Sequence, residues 1–308
     1  MPKLSDISGP MRGFMLATGG LLLCFSVPLY HLVRFALSSG LYSHIVLIPF
    51  IGLYLVRQKR STLPPPSAPA RRWALLPFLA GSTLLAWHLF WALSDTPSAP
   101  EDSLAISTLS ILLFFGGICC LFFGKETLKS IAFPLGFLLF AVPFPVWLRE
   151  SLETFLQHSS AAAAYGFFKL SGTPVFNHEM VLELPGFPIE VAPECSGIHS
   201  SLALFITSLL AGYFFLRSPW KRAILAAAVV PLAILRNGVR IFTIGELCVH
   251  VGPEMINSPI HRHGGPLFFV GSLVPFFLLL FYLMRADRRQ RNAKAGKRES
   301  PACSAPLA

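Results

Sequence analysis

The stretch "GPLFFVGSLVPFFLLLFYLM", residues 265–284, has no charged side chain. Twenty helical residues at about 1.5 Å each span the hydrocarbon core of a bilayer, which is about 30 Å thick. Further apolar segments precede this one, and together they predict an all-α polytopic membrane protein with eight transmembrane helices. The predicted spans are 14–32, 41–56, 73–93, 104–123, 131–148, 196–216, 223–248 and 265–284.

The composition agrees with this class. The chain has 308 residues, of which 54% are hydrophobic and 13% charged, and its mean hydropathy is +0.62. An ordinary soluble protein of this length is more polar. In such a chain the net charge of +10 indicates membrane topology, so we expect no nucleic-acid partner.

The basic residues predict the orientation. With the N-terminus inside, nineteen Lys and Arg fall on cytoplasmic segments and four on outer segments, which favours an N-in, C-in protein of the cytoplasmic (inner) membrane. We expect one membrane domain, 1–284, and a disordered basic cytoplasmic tail, 285–308.

The longest outer segment lies between predicted spans 5 and 6. Its first part, "SLETFLQHSSAAAAYGFFKL" (151–170), has helix-forming residues and a partly apolar face, which predicts a small helix at the outer surface. Its second part, "MVLELPGFPIEV" (180–191), alternates around a Pro-Gly pair and predicts a β-hairpin.

Cys195, in "VAPECSGIHSSL" (191–202), falls at the predicted outer mouth of span 6. A helix N-terminus stabilises a thiolate, and Ser196 and Gly197 suit a tight entry into the helix. This position is suited to a nucleophile. A small buried residue and a disulfide with Cys248 are the structural alternatives.

Span 7 contains charged residues within an apolar helix. Arg236 and Arg240 are four residues apart and share a helix face with polar Asn237 close by, while Glu246 follows. An ionisable side chain inside a membrane is costly, and it therefore indicates a functional site. A structural ion pair with Glu246 is the alternative for the arginines.

His261 and His263 precede span 8, at the predicted depth of Cys195, and His199 lies one turn into span 6. Histidine transfers protons near neutral pH. A metal site is disfavoured because further ligands at suitable spacing are not apparent, and we expect no cofactor.

A thiol, a proton carrier and a fixed cation thus converge on the outer ends of spans 6, 7 and 8. A nucleophile, an acid or base and an oxyanion stabiliser are the groups that acyl transfer from a peptide bond requires. The competing hypothesis is a membrane transporter or assembly factor whose intramembrane arginines bind an anionic ligand. Such a protein should tolerate loss of Cys195 and suffer more from loss of Arg240.

Three motifs in this order resemble the exosortase/archaeosortase family of integral-membrane cysteine transpeptidases. They are "CSGI" at Cys195, "NGVR" at 237–240 and "HRHGGPLFF" at 261–269, in which His261, Gly265 and Phe269 have the family's spacing. The chain departs from the family pattern in having Arg236, where a small or apolar residue is commoner, and His263 beside His261.

The resemblance implies a protease and transpeptidase with Cys195 as nucleophile, Arg240 stabilising the oxyanion or orienting substrate, and His261 as general acid/base. Arg236, Asn237, His263 and His199 would support them. The implied partners are exported proteins with a C-terminal sorting signal (PEP-CTERM in many bacteria), made of a short motif, a transmembrane helix and a basic cluster. A lipid-related or polysaccharide-related surface acceptor would receive the cleaved protein outside the cytoplasmic membrane, on the periplasmic face.

Overall fold

The structure is a computed structural model that describes residues 4–64, 71–93, 99–178, 180–192, 196–258 and 264–299, without the side chains of 4–10, 92, 257 and 293–299. The described chain is mostly helical with one small sheet, in agreement with the predicted class. It divides into two compact units, Met1–Arg149 and Glu150–Ala308.

The first unit contains six helices and the start of a seventh. They are α1 Leu4–Cys24, α2 Ser26–Ser38, α3 Ile48–Lys59, α4 Arg71–Leu93, α5 Pro100–Ser130, α6 Ala132–Phe137 and the beginning of α7, Val146–Ser171. Short 3-10 turns occupy Ser43–Val46, Arg60–Thr62 and Leu138–Ala141. Helices α1, α2 and α4 pack against α5, whose axis is interrupted at Gly124, with φ +70°.

Predicted span 1 is broken rather than continuous. Helices α1 and α2 meet at Phe25 with a bend of 70°. Pro28 explains the position of the break, because it has no N–H to donate to the Cys24 carbonyl and its ring crowds that carbonyl. Helix α1 accordingly ends at Cys24.

Predicted span 5 is also broken. The helical segments Ala132–Ala141 and Val146–Ser171 are bent by 89° relative to each other, and Pro143 and Pro145 lie in the four residues between them. Helix α7 then covers the whole predicted outer helix, 151–170.

The described residues do not confirm all eight predicted spans. Within the residues that the structure describes, five helices are long and apolar enough to cross a membrane, and the number is seven if each bent pair crosses as one span. Predicted span 2 holds α3, which has 12 residues and is therefore about 18 Å long, well short of a bilayer core. The five helical segments coincide with predicted spans 3, 4, 6, 7 and 8, and the chain is therefore an integral membrane protein.

The second unit joins the rest of α7 to a sheet and four helices. The strands are β1 Phe176–His178, β2 Val181–Leu184 and β3 Phe187–Glu190, and the helices are α8 Ile198–Phe215, α9 Pro219–Ala227, α10 Val229–His250 and α11 Gly265–Glu299. A 3-10 turn, Pro253–Asn257, follows α10.

The predicted β-hairpin is confirmed. Strands β2 and β3 pair antiparallel with Leu184 opposite Phe187, so Pro185 and Gly186 form a two-residue turn. Gly186 has φ +94°, a conformation that glycine adopts without strain. Strand β1, which the sequence analysis did not predict, adds a third antiparallel strand beside β2.

The sheet is held against two helices by an apolar cluster. Leu182, Leu184, Ile189 and Val191 pack with Ile241 of α10 and with three residues of α7, which are Ala161, Ala164 and Phe168. This burial fixes β3 and the residues after it beside the middle of α10.

Helix α11 continues beyond the apolar segment into the basic tail. It extends to Glu299, although we predicted disorder from 285 onward. Asp287 explains part of this continuation, because its carboxylate accepts hydrogen bonds from Lys221 Nζ at 2.8 Å and from the Arg217 backbone N–H at 2.9 Å. These bonds join the start of the tail to α9 and to the loop that precedes it.

Candidate active site

Helix α10 carries the polar residues of the site on one stretch of its surface. Arg236 and Asn237 are buried, with 8% and 2% of their surfaces exposed, and Arg240 is half-buried. Arg236 and Arg240 lie one turn apart on the same face, as their spacing predicts.

Arg236 joins the middle of α10 to the beginning of α8. Its Nη2 atom donates to the Gly197 carbonyl and to Ser201 Oγ, both at 3.2 Å. The Gly197 carbonyl also accepts from Ser200 and Ser201 hydroxyls, so the first turn of α8 is held by side chains as well as by its own backbone. The structure thus places Arg236 as a residue that fixes the entry to α8.

Gly197 is required at this entry for two reasons. Its φ of +71° lies in the left-handed region, and a Cβ at this position would lie 3.1 Å from Arg236 Nη2 and 3.4 Å from Asn237 Cγ. Ser196, which is buried, accepts a 3.4 Å hydrogen bond from the Ile198 N–H at its hydroxyl. The predicted tight entry into span 6 is therefore present, with α8 beginning at Ile198.

Arg240 lines a small cavity of about 110 Å³. Asn237 shares the same wall, and the apolar side chains Ile241 and Ile244 extend it along α10. The remaining walls come from the end of β3 and the residues after it, and from the 3-10 turn: Ile189, Glu190, Val191, Ala192 and Ile256. A cation and an amide therefore face the chain segment that leads toward Cys195.

Gln157 of α7 holds this segment in place, and the sequence analysis missed it. Its Nε2 atom donates to the Val191 carbonyl at 3.0 Å, while the Val191 N–H donates to the Met180 carbonyl at 2.9 Å. Gln157 is only 5% exposed. The sequence signal that could have identified Gln157 is an amide on the partly apolar face of a helix, because a buried amide needs a specific hydrogen-bond partner.

Glu246, another polar residue of α10, has structural partners. Glu246 accepts hydrogen bonds from the hydroxyls of Ser171 and Thr173 and lies 3.0 Å from His250 Nε2. It thereby joins the end of α7 to α10, and the ion pair described for it is with His250. Cys248 is a buried free thiol; Cys195, its alternative disulfide partner in the sequence analysis, lies outside the described residues.

A family model of transmembrane exosortases matches residues 36–278, which is most of the chain and includes all three motifs. The chain belongs to the transmembrane exosortase family. Comparison with curated proteins and with solved structures gave no match.

The three exosortase motifs are described in part. The whole of "NGVR" lies on α10, and the residues after Cys195 form the start of α8. Cys195, His261 and His263 lie outside the described residues. His199 is exposed on the first turn of α8. Among the described residues no group of three or more His, Cys, Asp or Glu is arranged to hold a metal ion.

Proposed function

We propose that this exosortase is a membrane cysteine protease and transpeptidase that cleaves the C-terminal sorting signal of exported proteins and transfers them to a surface acceptor. We place the reaction at the outer face of the cytoplasmic membrane, in an eight-span, N-in and C-in arrangement with the catalytic part in 175–284. The proposal rests on the family, on the three motifs and on the cavity beside Arg240.

The roles proposed for Arg240 and Asn237 rest on the cavity that both residues line. Arg240 and Asn237 line it, and its opposite wall ends at Ala192, three residues before Cys195 in the sequence. A guanidinium in a site shielded from water stabilises a developing oxyanion more strongly than it would in bulk solvent. A substrate carbonyl in this cavity would lie beside the cation and next to the segment that carries the thiol.

The two arginines have different roles in this proposal. Arg236 is a positioning residue, because its described hydrogen bonds go to the Gly197 carbonyl and Ser201 at the start of α8. Arg240 lines the cavity and stabilises the oxyanion. Asn237 lies between them in the sequence and orients the substrate from the same wall.

The proposed reaction has two steps. The Cys195 thiolate attacks the carbonyl carbon of the scissile peptide, the C–N bond breaks, and His261 gives a proton to the leaving amine. The resulting thioester then reacts with a nucleophilic group of the acceptor, whose proton passes to His261, and Cys195 is released as the thiolate. His263 and His199 would assist by hydrogen bonding or by charge.

The hairpin would bind the sorting motif. Strand β3 supplies cavity-lining residues, and an extended peptide lying along it would present a peptide bond to Arg240. Processing of a tagged substrate should therefore change when the hairpin tip, Pro185 and Gly186, is replaced by a longer loop. Unchanged processing would contradict this part of the proposal.

Processing of a tagged substrate with a C-terminal sorting signal tests the function. Cys195→Ala should abolish cleavage while the protein remains inserted and folded, and Cys248→Ala, which removes a buried free thiol of the same unit, should retain it. If the Cys195 variant keeps its activity and Arg240→Ala does not, the transporter or assembly-factor hypothesis is favoured.

A further inference from the structure

A second cavity, of about 520 Å³, opens in the first unit between helices α2, α4 and α5, and we name it the α2–α4–α5 cavity. Its basic lining residues are His31 and Arg34 of α2 and His88 of α4. Ser103 and Ser107 of α5 face them. Its volume falls in the range of small-ligand sites, roughly 300–1,000 Å³.

The described acids nearest the cavity do not belong to its lining. Glu101 accepts a hydrogen bond from Arg149 Nε at 3.1 Å, and Asp102 accepts one from the Val146 N–H at 2.8 Å. Neither carboxylate lines the cavity, and among the described residues none forms an ion pair with Arg34. The lining therefore combines one permanent cation with two imidazole rings, each of which can donate a hydrogen bond.

Aromatic side chains of the kind found at membrane interfaces lie on the helices that form the cavity. Trp87 and Trp91 of α4 are on either side of His88 in the sequence, are exposed, and have ring centroids 5.9 Å apart. Tyr30, also exposed, precedes His31. Tryptophan and tyrosine are enriched where a spanning helix meets the lipid headgroups.

These groups match the chemistry of a phosphate. A guanidinium binds phosphate oxygens through two parallel hydrogen bonds, and imidazole N–H and serine hydroxyl groups add further donors. A single arginine at a membrane interface needs no ligand to explain it, because water and headgroups solvate its charge. A cation, two imidazoles and two hydroxyls from three helices around one cavity form a more specific arrangement.

We propose that the α2–α4–α5 cavity binds a phosphate group, with Arg34 as its principal ligand and His31, His88, Ser103 and Ser107 as further donors. The nearby aromatic side chains favour a phosphate carried by an anionic membrane lipid. The site lies in the first unit, whereas the cavity beside Arg240 lies in the second, so this inference does not depend on the proposed catalytic function.

Lipid binding to the purified full-length protein tests the site. We would measure retention of phosphatidylglycerol, with phosphatidylcholine as the comparison lipid, by native mass spectrometry at increasing lipid concentration. The combined variant His31→Gln, Arg34→Gln and His88→Gln should lose at least about tenfold in apparent affinity, because charge-assisted hydrogen bonds are the strong ones. Arg34→Lys, which keeps the charge, should lose much less.

Arg57→Gln is the matched control, since Arg57 is an exposed basic residue of the same unit that does not line the cavity. It should bind phosphatidylglycerol like the wild type. Unfolding temperature and elution volume show whether each variant is folded, and Arg34→Glu provides a second, charge-reversing variant if the combined one is not.

Inorganic phosphate distinguishes the two sources of the ligand. If millimolar phosphate displaces phosphatidylglycerol from the wild type, the site takes a soluble phosphate compound as well. If it does not and only the lipid is retained, the ligand is a lipid headgroup. Equal lipid retention by the wild type and the folded combined variant, with no effect of phosphate on either, would overturn the proposal.

Discussion

Gln157 offers the sharpest test of how the segment before Cys195 is held. Replacing it with methionine keeps its length and removes the hydrogen bond to the Val191 carbonyl. That carbonyl belongs to a residue 1% exposed, and Gln157 is its described donor. Leaving a buried acceptor without a partner costs about 1–3 kcal/mol. The substitution should therefore destabilise, by that amount, the packed position of the segment before Cys195 relative to a locally opened one.

This cost corresponds to a roughly 5- to 150-fold rise in the population of the opened segment, since about 1.4 kcal/mol is a factor of ten. Hydrogen exchange should detect it at the Val191 amide, which is protected by its bond to the Met180 carbonyl. Processing of a tagged substrate should fall with it. Ser160→Ala is the control, because Ser160 is on the same face of α7, is fully buried, and has no described hydrogen-bond partner for its hydroxyl.

The protection of α11 should be unchanged in both variants, because the lost bond is local. If Gln157→Met and Ser160→Ala leave the Val191 amide equally protected and processing equally fast, the hydrogen bond does not position the segment.

Three further predictions concern the site. Gly197→Ala should lower the free energy of unfolding by about 1–2 kcal/mol, because a side chain is strained at φ +71°; Gly271→Ala in α11, where a Cβ meets nothing within 4 Å, should be neutral or slightly stabilising in the same thermal unfolding assay. Arg240→Ala should slow processing by about 10²–10³-fold, the usual effect of removing one oxyanion donor, with an unchanged unfolding temperature. If Arg236→Met slowed processing more than Arg240→Ala does, the roles of the two arginines would be reversed. Glu190→Ala should raise the KM for a sorting-signal peptide, because Glu190 lines the cavity, whereas Glu183→Ala on β2 should not; equal KM values would remove β3 from the binding surface.

Helix positions were predictable where hydrophobicity alone decides them. Span 8 was predicted from residue 265, and α11 begins at Gly265. Span 4 was predicted to end at residue 123, and the helical backbone of α5 is interrupted at Gly124. The hairpin was also predictable, because a Pro-Gly pair between alternating residues specifies a two-residue turn.

The breaks were harder to predict because proline has two outcomes in these helices. Helix α1 ends at Cys24, four residues before Pro28, and α9 ends at Ala227, four residues before Pro231. In each case the carbonyl of the last helical residue has no proline N–H to accept from. Pro77 and Pro275 instead lie inside continuous helices. The packing of neighbouring helices decides between these outcomes, and the local sequence pattern does not reveal that packing.

The site was predictable in its residue types but not in its division of roles. The spacing of Arg236 and Arg240 places both on one face, yet only the packing of α8 against α10 directs Arg236 to Gly197 and Ser201. Strand β1 has three residues, all exposed, and therefore no alternation to detect. Gln157 acts on a residue 34 positions away, which no local pattern indicates.

The covalent intermediate tests the central claim most directly. The purified protein would be mixed with a substrate bearing a sorting signal, quenched in acid during turnover, digested and examined by mass spectrometry. The account predicts a thioester between Cys195 and the new carboxyl end of the substrate, present in the wild type and in Cys248→Ala and absent in Cys195→Ala. Cleavage that proceeds at the normal rate in Cys195→Ala, with no thioester in any variant, would contradict the account.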